Sequence, residues 1–404
     1  MVILKNDFKT IQLAAYFTDR DEQHTLLYRF LLSRLLASHT PSLDTKRRMN
    51  EHLEFLYGAY FSTNIYRLSD LNVIRIALTF PDPKIVEDAT LLKRAASLFA
   101  SVIDRRDSFK ADLFREEVRM IKEQWETLKD RKRLYAQMEF YRHFFKGDSY
   151  AIPVSGSREQ LETVRLDGLY AYYRDVFLNN PRIFIASGRI SSKEEADLRA
   201  LFSAKEKRNE RTPNLSFREP RKELLKVEER TDMQQAILRI GYHIPVFRDD
   251  PLYTATVILD FVIGGYPESR LFKEIREKAG LCYDIQSAYD PYKGVLIVSS
   301  GVDSSLRDQA LRRIREEVER VRSDGITESE LTSASMYYIN YLRSSLDRQA
   351  VLTHRAFIKE VLGRDESVEE RVVAIRNTTL AEVRRAAEKL TIDTVYVLYG
   401  GEGT

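Results

Sequence analysis

The sequence predicts an α+β protein built from two homologous domains, each a mainly antiparallel sheet with helices packed on one side. Three observations lead there. The order strand, apolar helix, glycine-stopped helix, hairpin occurs twice along the 404 residues. A shift of 223 residues lays Tyr60 over Tyr283 and "VIRIAL" over "LIVSSG". At a slightly different shift, "VRLDGLYAYYRDVFLNNPRIFIASG" lies over "TTLAEVRRAAEKLTIDTVYVLYGG". Residue identity is low, but shared element order points to an internal duplication, and a duplication sets the fold.

The first copy opens on a strand, "KTIQLAAYF", rich in β-branched and aromatic residues. A helix from about Thr25 to Ala37 follows, with Leu27, Leu31 and Leu35 four apart. Asp44 is the expected N-cap of the next helix, Met49, Leu53 and Leu56 its apolar stripe, and Gly58 its stop. "YFSTNIYRLSDLNVIRIALTF" reads as two strands turning at Leu68-Ser69-Asp70. Amphipathic helices are expected from about Glu87 to His143. The copy closes with helix "LDGLYAYYRDVFL" and strand "RIFIASGRI".

Residues 206–228 are charged, carry two prolines and lack periodicity, which marks an exposed linker running into a strand. The domains are therefore expected at 1–205 and 229–404. The second copy opens on strand "QAILRIGYHI". Helices "PLYTATVILDFVIGG" and "SRLFKEIREKAG" follow, the latter stopped by Gly280, and then hairpin "CYDIQSAYDPYKGVLIVSSGV". "TESE" at Thr327 to Glu330 has the spacing of a capping box.

Composition narrows the function. Lys plus Arg number 64 against 61 Asp plus Glu, a balance that gives no general case for nucleic acid, whose binders usually show a basic excess. The longest apolar stretches are broken by charges and fall short of the ~20 residues a membrane span needs. "MVILKNDFKT" has no signal-peptide core. One cysteine, Cys282, excludes an internal disulfide and a thiolate metal cluster. The expected location is the cytoplasm. No His-Asp set stands near Cys282 in sequence, so it reads as a buried small hydrophobe. Gly264-Gly265 follows a helix and lacks the spacing of a phosphate loop.

"DFVIGGYPESRLFKEIREKAGLCY" closely resembles the signature G-G-x-x-S-R-L-F-x-x-I-R-E-K-x-G-L-x-Y of the pitrilysin and mitochondrial-processing-peptidase family. "LYGAYFSTN", "KGDSYAIPVSGSREQLETV" and "FIASGRI" add weaker matches. The resemblance spans nearly the whole chain. It implies half of a clamshell, made of paired domains that enclose a peptide.

Family enzymes hold zinc with H-x-x-E-H on an early helix and a distant glutamate, because histidines four apart share one helix face. Here the corresponding helix reads "HTLLYRFLLSRLLASHT", with Leu, Tyr, Arg and Phe where ligands would sit. No two of the six histidines are three or four apart. Lys122 matches the lysine after the third ligand, which leaves Ile121 in the ligand's place; Glu117 and Glu123 have no histidine pair to join. His52 lies between Glu51 and Glu54 on an amphipathic helix and reads as a surface or capping residue. The expectation is no metal on this chain and no peptidase activity from it alone.

In heteromeric members of the family, one subunit carries zinc while the other keeps an Arg and a Tyr facing it. Arg276 and Tyr283 match that pair. The resemblance therefore implies a non-catalytic subunit, with zinc on an H-x-x-E-H partner and peptides as substrates in precursor or leader processing or in general degradation. Arg276 and Tyr283 would serve catalysis and substrate binding, with Gly264, Gly265 and Ser269 of the same signature against the substrate. A phenol hydroxyl can donate to the oxygen on which charge builds, and a guanidinium forks towards carbonyls. Strand alternation is expected to put Tyr283, Ile285 and Ser287 on one face. Without the signature, Arg276 would read as a helix-end charge and Tyr283 as sheet packing. The rival reading is a structural or peptide-binding relative with no hydrolytic role.

Overall fold

A computed structural model of the chain describes residues 1–104, 109–205, 207 and 212–400. The chain forms two compact units. In chain order the elements of its first half are β1 (Val2–Lys5), β2 (Thr10–Arg20), α1 (Leu26–Leu36), α2 (Lys46–Glu54), β3 (Tyr60–Leu68), β4 (Leu71–Pro81), α3 (Leu91–Ile103), α4 (Ala111–Glu126), α5 (Lys132–Phe144), α6 (Arg158–Thr163), α7 (Leu166–Asp175), β5 (Arg182–Gly188) and α8 (Ser192–Phe202). The second half runs β6 (Leu225–Arg230), β7 (Gln235–His243), α9 (Tyr253–Asp260), β8 (Cys282–Asp290), β9 (Val295–Asp303), α10 (Arg307–Asp324), α11 (Glu328–Ser345), α12 (Gln349–Leu362), α13 (Val368–Arg376), α14 (Leu380–Ala387) and β10 (Thr391–Tyr399).

The two five-stranded sheets have the orders β1-β5-β2-β4-β3 and β6-β10-β7-β9-β8, so the second repeats the first with five added to every strand number. Each is antiparallel except for one parallel edge pair, β1 with β5 and β6 with β10. Shared topology at low identity is what a duplication leaves behind. Tyr60 and Tyr283 both stand at the start of an edge strand, exposed by 56% and 57%.

The units do not follow chain order. The first comprises Met1–Thr127, Ile152–Pro213 and Leu346–Asp365; the second comprises Leu128–Ala151, Asn214–Ser345 and Glu366–Thr404. Each half of the chain therefore lends one helix to the other half's sheet. In the first unit most helices cover the sheet face that carries Ile11, Leu13, Ala15 and Phe17. Helix α12 covers the opposite face, where Phe357 stacks on Tyr16 at 4.3 Å and Gln349 Nε2 donates to Ser187 O at 2.7 Å. In the second unit α5 lays Phe140 and Phe144 on Ile237, Ile297, Tyr396 and Leu398. Gly241 is required there, because a Cβ would stand 2.7 Å from the Phe144 ring. The boundaries expected from the sequence, 1–205 and 229–404, are contiguous; the compact units interleave because α5 and α12 carry apolar faces made for sheets remote in sequence.

Several local expectations meet the structure directly. Ser69 takes the left-handed backbone (φ +54°) that turns β3 into β4. Thr327 and Glu330 close their capping box: Thr327 N–H donates to Glu330 Oε2 at 2.8 Å, and Glu330 N–H to Thr327 Oγ1 at 3.2 Å. The N-cap of α2 is Thr45, not Asp44; Thr45 Oγ1 accepts from Arg48 N–H at 3.1 Å, while Asp44 takes the Arg48 guanidinium at 3.0 Å. Part of the linker, at 206 and 208–211, lies outside the described residues. Its later part is pinned rather than freely exposed: Arg218 grips the buried Asp393 at 2.7 and 2.9 Å, and Arg221 adds a contact at 2.5 Å. Among the described residues no helix is long and apolar enough to cross a membrane.

Candidate functional site

The signature stretch folds into two π-helical turns, Phe261–Gly265 and Phe272–Lys278, that lead into edge strand β8. Leu281 N–H closes the second on Ile275 O at 2.9 Å, and Gly280 turns the chain through φ +62°. A left-handed residue is what glycine supplies at a helix end. Arg276, exposed on that turn, lays its guanidinium over the Phe272 ring, 4.5 Å from the centroid. Its charge acts on Cys282 and Asp284, so Arg276 and Tyr283 come to the same end of β8.

The expected alternation fails here. A bulge between Cys282 and Asp284 shifts the register against β9, Cys282 facing Val302 and Asp284 facing Gly301. Tyr283 is the extra residue and turns out to solvent, whereas Ile285 and Ser287 are buried. Bulges re-aim side chains in this way. Cys282 is buried beside it, and burial pushes its thiol up.

Asp284 holds the bulge in place. Arg133 of α5 donates to both carboxylate oxygens, 2.8 Å each, and Ser300 Oγ donates to Asp284 O at 2.9 Å. The Arg133 hydrogen bonds hold the Asp284 carboxyl below the usual carboxylate range. Gly301 makes room: a Cβ would lie 2.6 Å from Asp284 Oδ1. Arg133 carried no signal in the sequence, since partners 151 positions apart have no periodicity to betray them.

Gly264, Gly265 and Ser269 lie behind this edge. Gly264 is buried with its Cα against β8, where a Cβ would stand 2.6 Å from Ser287 N. Gly265 is half-buried, and Ser269 is 1% exposed with no partner for its hydroxyl among the described residues. Their surroundings are the packing of the wall that carries Tyr283. Asp260 joins them, accepting from Ser287 Oγ at 2.5 Å and Tyr289 N–H at 3.2 Å, and burial raises its pKa to about 6.

In the first unit, the helix that would hold zinc is α1. Its Arg34 hydrogen-bonds Glu117 of α4, and Lys46 at the start of α2 donates to Glu117 at 2.9 Å and Glu116 at 3.1 Å. Burial would push Glu117 up, but hydrogen bonds from Arg34 and Lys46 outweigh it and hold the carboxyl low. Two cations hydrogen-bonded to the carboxylate compete with any metal for its oxygens. The described residues contain no group of three or more His, Cys, Asp or Glu able to hold a metal ion. His39 is buried with Nδ1 2.9 Å from Ser38 Oγ. Among the described residues, the Glu117 carboxylate has two cations and no histidine pair beside it, which is not a donor set for zinc. A cleft of ≈ 590 Å³ beside Arg34, Lys46 and Glu117 reaches Tyr60 and Phe61 on β3.

Residues 163–337 match the family model described as Peptidase M16 inactive domain. Over that stretch the chain resembles the M16 peptidase family. It is 24% identical over 407 residues to a Bacillus subtilis (strain 168) protein named as a probable inactive metalloprotease, YmfF, covering 100% of this chain and 96% of that one. A second Bacillus subtilis (strain 168) protein, named as an uncharacterized zinc protease, YmxG, is 24% identical over 245 residues, or 60% of this chain and 59% of that relative. The crystal structure of a conserved protein from Enterococcus faecalis V583 superposes with a TM-score of 0.90 at 23% identity, covering 100% of this chain and 96% of that one. In the first unit the place of a zinc site is taken by the Arg34–Glu117–Lys46 cluster.

Proposed function

We propose that this chain is the non-catalytic subunit of a two-chain zinc peptidase acting on small peptides. The partner, a family member with H-x-x-E-H, supplies the metal chemistry. This chain supplies Tyr283, whose hydroxyl donates to the substrate oxygen as charge builds on it, and Arg276, whose fork holds the peptide backbone. The observation that carries the reading is Tyr283, a large aromatic left 57% exposed on a bulge. Such a side chain is held out of packing by a device that costs the sheet a pairing. Gly264, Gly265 and Ser269 serve by packing the wall behind it rather than by touching the peptide. The name of the relative YmfF agrees with a chain that does not hydrolyse peptides alone.

The test reconstitutes this chain with a zinc-bearing partner. Tyr283→Phe should leave assembly unchanged and lower turnover by roughly 10²–10³, the cost of one oxyanion donor. Arg276→Ala should lower rate and raise KM, because its contacts exist in the ground state too. Mixed complexes of both variants that turn over like wild type would make this chain a scaffold or peptide-binding relative instead.

A further inference from the structure

The second unit contains a cleft of ≈ 840 Å³ between α10, β6, β7 and the segment entering β10. That volume suits a small organic ligand. Its floor is apolar, made by Leu311, Val318, Leu390 and Ile392. Tyr242, only 4% exposed, lines the cleft, and its hydroxyl is buried without a hydrogen-bond partner among the described residues. Buried polar groups are nearly always paired, and an orphan asks for a ligand or an ion.

The rim is charged, and its charges do not cancel. Glu319 is taken by Arg322, at 2.6 to 3.1 Å. Glu316 faces Arg313 at 3.6 Å, and Asp308 faces Arg307 at 3.6 Å. Arg320 is spent on Glu317 at 2.7 Å, and Lys226 on Glu228 at 2.6 Å. Arg312 and Arg315, one turn apart on α10, are left with no carboxylate partner among the described residues; Arg315 acts electrostatically on Tyr242, opposed by Glu319, whose own charge is engaged by Arg322. Two unpaired guanidiniums above an apolar floor, with an orphaned phenol in the lining, form a complementary surface for one chemistry.

We propose that this cleft binds a small organic anion with an apolar body. Its carboxylate sits between Arg312 and Arg315 and accepts from the Tyr242 hydroxyl, and its hydrocarbon covers Leu311, Val318, Leu390 and Ile392. Guanidinium–carboxylate hydrogen bonds are the strong kind, and the Tyr242 hydroxyl gains the partner it lacks. The site lies wholly within the second unit and uses neither Arg276 nor Tyr283, so it is independent of the peptidase reading.

The probe is octanoate, titrated calorimetrically into the whole chain, with octanamide as the uncharged control. Octanoate should bind saturably at one per chain, and octanamide at least roughly tenfold more weakly, as loss of a charge-assisted pair implies. Arg312→Gln with Arg315→Gln should weaken octanoate by roughly tenfold or more. Both arginines are exposed helix residues without carboxylate partners, so the fold survives their loss. Tyr242→Phe keeps the ring and should weaken binding several-fold with thermal unfolding unchanged. Octanoate that never saturates, octanamide that binds as well, or affinity indifferent to the double arginine change would each overturn the site. Unchanged affinity in Tyr242→Phe would overturn the role given to the hydroxyl.

Discussion

Arg133 on α5 holds both oxygens of Asp284 on β8 at 2.8 Å, tying a helix from the first half of the chain to the residue next to Tyr283. Both partners are partly solvated, with side chains 65% and 42% exposed. Pairs of that kind contribute little to stability, ~0–1 kcal/mol. Position is the greater consequence, because Asp284 follows directly on the residue the bulge pushes outward.

Arg133→Gln should therefore change the unfolding midpoint little and yet lower turnover in a reconstituted complex. Denaturant melts and peptide turnover on the same preparation separate the two effects. A large loss of stability with unchanged turnover would make the pair a simple staple.

Arg29 in α1 is fully buried, and its guanidinium serves several acceptors: Asn72 Oδ1 at 2.7 Å, Asn180 Oδ1 at 2.6 Å, Phe17 O at 3.1 Å and Asn72 O at 3.0 Å. Arg29→Met keeps the stem but strands these acceptors and removes the cation 3.6 Å from Asp19. Breaking such a buried set costs roughly 3–5 kcal/mol. Urea unfolding should show a loss of that order, and a loss below about 1 kcal/mol would mean water replaces the guanidinium freely.

Acid should loosen α12. Burial, reinforced by the charge of Arg75, depresses the pKa of His354 to about 4, and His354 Nδ1 lies 3.2 Å from Tyr66 OH. A histidine whose folded pKa lies below its unfolded value stabilises above the unfolded pKa and loses that stability as pH falls towards the folded one. Stability should drop between about pH 6.5 and 4, by up to the order of 3 kcal/mol. His354→Leu should flatten that leg of a stability–pH profile. Asp260 runs the other way, because burial raises its pKa to about 6. Its proton favours the folded state, so its contribution is lost as pH rises from about 4 to 6.

Much of this was legible in the sequence, and what was not has a physical cause. The repeat order, the Leu68-Ser69-Asp70 turn and the Gly280 stop follow from local chemistry and appear where local chemistry put them. The exchange of α5 and α12 was hidden, because an amphipathic face records that it is buried and not on which sheet. The bulge at Tyr283 was hidden too. Alternation assumes an unbroken ladder, and the break depends on Gly301 across the hairpin and on Arg133, distant in sequence. The missing histidine pair showed in the sequence, but the Arg34–Glu117–Lys46 cluster needed three elements brought together.

Two glycines of the signature should respond to alanine for different reasons. At Gly280 a Cβ meets nothing within 4 Å, so the only penalty is the φ of +62°. A left-handed alanine costs ~1–2 kcal/mol, and β8 should keep its place. At Gly264 no such φ arises, but the Cβ would press to 2.6 Å from the backbone N of Ser287. Backbone cannot rotate away as a side-chain tip can, so the π-helical turn and β8 must part. Overpacking of this kind costs ~1–3 kcal/mol and moves the main chain. The displaced strand is the one that carries Tyr283, and its Ser287 is held by Asp260. Gly264→Ala should thus disturb backbone NMR shifts along β8 and reduce turnover in the reconstituted complex beyond its effect on stability. Gly280→Ala at matched destabilisation should leave both near wild type. If the two variants act alike on β8, Gly264 is only another helix glycine, and the close approach of turn to strand does not position Tyr283.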